Sequence, residues 1–257
     1  MKAPNREVKV LRIFLALDAA SLSSDALTSA IRLAGQLQAE LTGLFIEDID
    51  LLRSAQLPFS SEIIADSGRE RLLTGNDIER SLRAWATQMQ NTLTKEAEKA
   101  KIKYSFRTVR GRRLEALLSE ADVSDLLIFA RSRYRLTPAL GETANIGLIY
   151  DGSLESQHGI AILGKLASKG LAHATLVNLD KKDSDYDIHH AAEWLTRQGI
   201  TVSIHHPADK AIPALATLLK RQHASLLLVP STCSLCKQSE QFNEMQKRLD
   251  CPLVIVR

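Results

Sequence analysis

The chain has 257 residues, 45% of them apolar and 25% charged. These are globular proportions, sufficient for one large α/β domain or two ordinary ones, and they exclude extensive disorder. A net charge of only +3, no strong basic excess in either half and 5% aromatics exclude the basic, ring-bearing face of a nucleic-acid binder.

The first element is RIFLALD at 12–18, a short apolar run with little polar alternation. A strand buried on both faces reads this way, as in a parallel sheet covered by helices. A helix-period segment follows at 24–38, with Ser24 as a reasonable N-cap, then a second strand, LTGLFI at 41–46. Residues 48–103 read as a helical insertion. Its first part, around Leu57, Pro58 and Phe59, reads as a shorter helix plus loop. Its second part, 77–101, has Ile78, Leu82, Trp85, Ala86, Met89 and Leu93 at helical spacing. A third strand at 105–109, a helix at 113–121 and a fourth strand, DLLIFA at 125–130, complete the first half.

The second half repeats this order. NIGLIYD at 145–151 matches RIFLALD, and ATLVNL at 174–179 matches LTGLFI at the same offset. Ser153 is the expected cap of a helix at 153–169. His189 and His190 fall on a helix. Strands at 201–205 and 225–229 flank a helix at 212–224. A helix at 238–249 and a last strand, CPLVIV at 251–256, close the chain. Too few residues separate Ala130 from Asn145 for a helix, its loops and a fifth strand. The predicted domains are therefore 1–142, lacking a fifth strand, and 143–257. Strands alternating with helices imply βαβ units and parallel sheets.

No apolar run reaches the roughly 18 to 20 residues that span a bilayer. MKAPNREVKV has no apolar core of a secretory signal. Three cysteines make no disulfide framework, and an odd count fits a reducing compartment. A cytoplasmic location with no membrane partner is expected.

RIFLALD, NIGLIYDGS, ELTGLFIED, VRG at 109–111, DLLIFARSR and the terminal CPLVIVR together resemble a tandem universal stress protein. The resemblance covers nearly the whole chain except 48–103. It implies two tandem doubly wound parallel-sheet domains, Rossmann-like, each with strand order 3-2-1-4-5. It also implies a stress-response protein without catalysis, and dimerisation through the closing strand. In family members that bind ATP, the Asp ending strand one contacts adenine. A Gly-x-x-Gly, nine residues, then Gly-Ser/Thr loop holds ribose and phosphates.

Asp18 and Asp151 match the first feature. The loop does not match. Its leading glycine positions are Ala130 and Arg133 in the first half, where Gly141 falls two residues early and precedes Glu142. In the second half they are Pro230 and Cys233, with no trailing Gly-Ser. Proline has no N–H to offer a phosphate. Tight ATP binding is not expected in either half.

Ligands of doubly wound sheets bind outside the carboxyl ends of the strands, where strand order reverses. In the first half that crevice would gather Asp18 and Ser21 with Arg131, Arg133 and Arg135. Guanidinium groups bind phosphate bidentately, so ATP, AMP or another phosphate-containing ligand is the candidate there. In the second half it would gather Asp151, Gly152 and Ser153, ahead of a helix. Opposite lies Cys233-Ser234-Leu235-Cys236, a C-x-x-C that fits either a redox pair or plain loop cysteines. His205 and His206 end strand three, two strands away from that loop, so no metal site is expected. DGSLES at 151–156 also resembles pyrophosphate-binding loops of nucleotide α-hydrolase-like enzymes, an alternative beside the redox protein. No catalytic set stands out by spacing.

An unknown protein partner is expected. The two halves should pack face to face as an internal pseudo-dimer, with 136–143 or the insertion shielding the open edge of strand four. The closing strand would then be an edge through which a homodimer could form.

Overall fold

The computed structural model describes residues 12–17, 24–55, 61–63, 70–72, 75–122, 125–129, 144–179, 185–207 and 211–257. In the first half, β1 (Arg12–Leu17) leads through α1 (Ser24–Leu37) to β2 (Glu40–Asp48). There follow α2 (Ile49–Ala55), β3 (Ser61–Ile63), β4 (Glu70–Leu72), α3 (Gly75–Ala100), β5 (Tyr104–Gly111), α4 (Arg113–Glu120) and β6 (Leu126–Phe129). The second half runs β7 (Asn145–Tyr150), α5 (Leu154–Ala167), β8 (His173–Asn178), α6 (Asp185–Arg197), β9 (Thr201–His205) and α7 (Ile212–Arg221). It ends with β10 (Ala224–Pro230), α8 (Ser234–Lys237), α9 (Ser239–Arg248) and β11 (Leu253–Val256).

One nine-stranded sheet runs through both halves in the order β5-β2-β1-β6-β11-β10-β7-β8-β9. Within each half the pairings are parallel. The second half has the order 3-2-1-4-5, whereas among the described residues the first has four strands in this sheet. Helices cover both faces. Ile13, Leu15, Ile146 and Leu148 face one apolar layer with α1, α3, α5 and α6. Phe14, Ala16, Ile149 and Val229 face the other, with α4, α7 and α9. This two-sided burial is why these strands are continuous apolar runs.

The halves meet edge to edge, which corrects the face-to-face packing expected from the sequence. β6 pairs with β11 in antiparallel fashion, Leu126 opposite Val256 and Phe129 opposite Leu253. A four-strand unit leaves a row of backbone N–H and C=O groups unpaired, and β11 satisfies them. The closing strand is therefore interior, not the free edge that family-type dimerisation would use. The one antiparallel junction makes the whole sheet mixed rather than purely parallel. No residue of β6 or β11 is more than 4% exposed. Separating the halves would unpair the facing peptide edges of β6 and β11 and uncover part of the apolar surface of their eight side chains. Phe242 of α9 reinforces the junction, meeting Phe129 edge-on at 4.7 Å between ring centroids.

Residues 48–103 are not one insertion. α3 packs on α1, β2 and β5 and is the crossover helix between strands two and three, as α6 is in the second half. It lies on a face of the sheet and shields no edge. The surplus is α2 with the antiparallel β3–β4 pair, where helix plus loop was expected. The other expected shield, 136–143, lies outside the described residues. Among the described residues no helix is long and apolar enough to cross a membrane.

A polar clasp sits at one end of the junction. Asp125, fully buried, accepts from Arg12 Nη2 at 2.8 Å and from the Asp122 amide at 2.8 Å. That pairing holds the Arg12 guanidinium above its ordinary pKa. Arg257, following β11, donates its amide to Asp125 O. Its Nη1 donates to Leu118 O and Ala121 O, so the second half caps α4 of the first. Asp125→Ala would leave the Arg12 guanidinium with only the exposed Asp122 carboxylate, at 2.6 Å, and would strand the Asp122 amide. A loss of about 3 kcal/mol in urea unfolding is expected, discounted from a fully buried pair because Arg12 is partly exposed. A loss under about 0.5 kcal/mol would show the clasp to be incidental.

Candidate functional site

The described crevice lies in the second half, at the carboxyl ends of β7 and β10, where the strand order reverses. β7 ends on buried Tyr150, whose phenol is pushed up to about 12 by burial first and then by Asp187 and Asp151. Asp151 follows. Gly152 takes φ +77°, a left-handed turn that costs glycine little. Ser153 then caps α5, its Oγ accepting the Ser156 amide at 3.2 Å. Asp151 Oδ1 accepts from the Ser153 amide at 3.0 Å and from Ser153 Oγ. Its Oδ2 accepts from Thr232 Oγ1 at 3.1 Å. Asp151 thus ties the β7 turn to the segment after β10.

That segment has a fixed hydrogen-bond pattern. Pro230 ends β10 without an N–H. The Ser231 amide donates to Val256 O at 2.9 Å, Cys233 to Pro230 O at 3.0 Å and Cys236 to Cys233 O at 2.9 Å. A phosphate loop works by leaving successive amides free to converge on the ligand. Here three of them are already committed to protein carbonyls.

Between Asp151 and this segment lies a cleft of about 550 Å³, within the size range of small-molecule sites. Ile149, Leu179, Ile212, Pro213 and Leu235 give it apolar walls. Asp151, Thr232, Ser234 and Lys237 bring polar groups to one side, and Gln241 and Glu244 to another. Glu244 pairs with Arg248 at 2.9 Å.

Of the sequence-derived candidates, Asp151, Gly152, Ser153, Cys233 and Cys236 come together around this crevice. Asp18, Ser21, Arg131, Arg133 and Arg135 lie outside the described residues. Arg112, which follows β5 in the first half, pairs with Asp50 at 3.3 Å. His205 lies on β9, with β8 and β7 between it and β10. Among the described residues no group of three or more His, Cys, Asp or Glu could hold a metal. Thr232, Leu179, Ile212 and Leu235 were missed from the sequence. Thr232 could have been found by asking which hydroxyl lies two residues past the end of β10.

All three cysteines are buried and none forms a disulfide. Burial pushes the Cys236 thiol well up, with Cys233 and Asp151 adding to it. Burial likewise pushes Cys251 up to about 12, with a contribution from Asp250. A buried thiol is a poor nucleophile because little thiolate forms. Ellman's reagent at pH 8 should therefore titrate the thiols at least tenfold faster in urea than in the native state. Fast native reaction of Cys233 and Cys236 would favour the redox alternative. The unfolded chain loses the Cys251 proton near 9.0, the folded chain near 12. Stability should therefore fall as pH rises through that window.

No protein-family model matches the sequence, and no curated protein matches it. Among solved structures the chain is similar to a universal stress protein from Archaeoglobus fulgidus DSM 4304. Sequence identity is 13%, 97% of each chain is covered and the TM-score is 0.59. It is also similar over a shorter span to a protein of the universal stress protein family from Burkholderia pseudomallei. There identity is 14%, with 44% of this chain and 94% of that chain covered and a TM-score of 0.31. The first comparison establishes the fold along nearly the whole chain: this is the α/β, Rossmann-like universal stress protein fold.

Proposed function

We propose that the chain is a cytoplasmic stress-response protein of the universal stress protein kind, which binds and regulates without catalysis and without holding ATP tightly. The segment after β10 carries this reading. Pro230 offers no amide, and those of Ser231, Cys233 and Cys236 are bonded within the protein, so the run of successive free amides that cradles phosphates is interrupted. Asp151, the residue that would meet adenine, already accepts from three protein donors. A carboxylate has about four acceptor positions, which leaves it little room for a base. The burial of Cys236 supports regulation by binding over regulation by thiol chemistry.

A phosphate-containing ligand, ATP or AMP, is assigned by this reading to the first half. Arg131, Arg133 and Arg135 alternate there, and in an extended segment alternate side chains share a face. Such a site is electrostatic and weakens with salt. The partner that reads the bound state is a protein of unknown identity.

Two measurements on the full chain test this. ATP incubated with the protein should be hydrolysed no faster than background. Turnover approaching 1 s⁻¹, the low end of ordinary enzymes, would overturn the reading. Calorimetric titration of ATP and AMP should give weak, salt-sensitive heats, lost in Arg131→Ala/Arg133→Ala. Tight binding that survives this double substitution would place the nucleotide elsewhere.

A further inference from the structure

The second-half cleft keeps its volume and apolar walls although the run of amides after β10 is interrupted. Its charges indicate what it can hold. Glu244 is neutralised by Arg248. Asp151 is held by the Ser153 amide, Ser153 Oγ and Thr232 Oγ1, all neutral donors, so its negative charge stays uncompensated. Lys237 also contributes to the wall, and among the described residues it belongs to no ion pair. One negative and one positive group without a charged partner therefore border a space whose remaining walls are apolar side chains and the neutral polar groups of Thr232, Ser234 and Gln241. A triphosphate brings several negative charges to a site with a single cation, and desolvating them beside Asp151 is unfavourable. A purely apolar ligand would bury both protein charges without partners. The complement of this pattern is a ligand with one charge of each sign on an apolar body.

We propose that this cleft binds a compact zwitterion, a free α-amino acid or dipeptide with apolar side chains. Its ammonium faces Asp151, its carboxylate faces Lys237, and its side chains lie against Ile149, Leu179, Ile212, Pro213 and Leu235. Asp151 has one acceptor position left after its three protein donors, which suits a single ammonium N–H. The volume of about 550 Å³ exceeds that of one amino acid and admits a dipeptide. The ligand would be the regulatory signal of the binding protein proposed above, and to that extent the inference rests on that reading.

Isothermal titration of L-leucine, L-phenylalanine and the dipeptide Leu-Phe into the full chain tests it. 4-Methylpentanoate, which lacks the ammonium, and 3-methylbutylamine, which lacks the carboxylate, are the controls. At least one zwitterion should bind one to one, with each control at least tenfold weaker. Lys237→Met, at an exposed position, should keep the thermal midpoint. It should weaken the zwitterion about tenfold and leave the amine unchanged. Asp151→Asn, which keeps an acceptor for Thr232, should weaken both zwitterion and amine. ATP should not displace the zwitterion. Absence of heat from all three zwitterions, equal binding of the controls, or displacement by ATP would overturn the inference. None of these outcomes touches the hydrolysis assay, on which the broader reading stands or falls separately.

Discussion

The pairing of β6 with β11 is the constraint from which the rest of the molecule follows. A four-strand half cannot present its edge to water without leaving a row of peptide groups unpaired. β11 solves this by serving two halves at once, parallel to β10 on one side and antiparallel to β6 on the other. One continuous sheet results, with Phe242 packed on Phe129. Arg257 seals the end of α4. The same occupancy removes the strand through which family-type dimers would form, so any assembly of this chain must use another surface.

The shared strand also reaches into the candidate site. Val256 O, at the end of β11, takes the Ser231 amide, one of the donors that a phosphate loop would aim at its ligand. With Pro230 beside it and the Cys233 amide bonded back to Pro230 O, the run of free amides after β10 is broken. Asp151 locks that segment to the turn after β7 through Thr232. The cleft between them is therefore preformed, and its selectivity lies in side-chain charge instead of backbone amides.

Much of this was legible in the sequence, and the reasons are physical. Strands buried on both faces, such as Ile13–Leu17 and Ile146–Tyr150, leave an unbroken apolar signature. The repeat of that signature marks the two halves, and the short gap after Ala130 marks the missing fifth strand. Which strand would fill the gap was not legible, because edge pairing is a tertiary choice and Leu253–Val256 reads alike beside one neighbour or two. α3 was mistaken for part of an insertion because the hairpin before it lengthened the segment. At the site, Asp151, Ser153 and Cys233 were visible as residues. The roles of Thr232 and Val256 depend on contacts between β7, β10 and β11 that no local pattern encodes.

Native-state hydrogen exchange across the junction is the most direct test. If β11 completes both halves, the ladder amides of 126–129 and 253–256 exchange together, at the rate of global unfolding. Exchange of 126–129 that is orders of magnitude faster than that of 253–256 would mean that the first half's edge is open. The single shared sheet would then be contradicted.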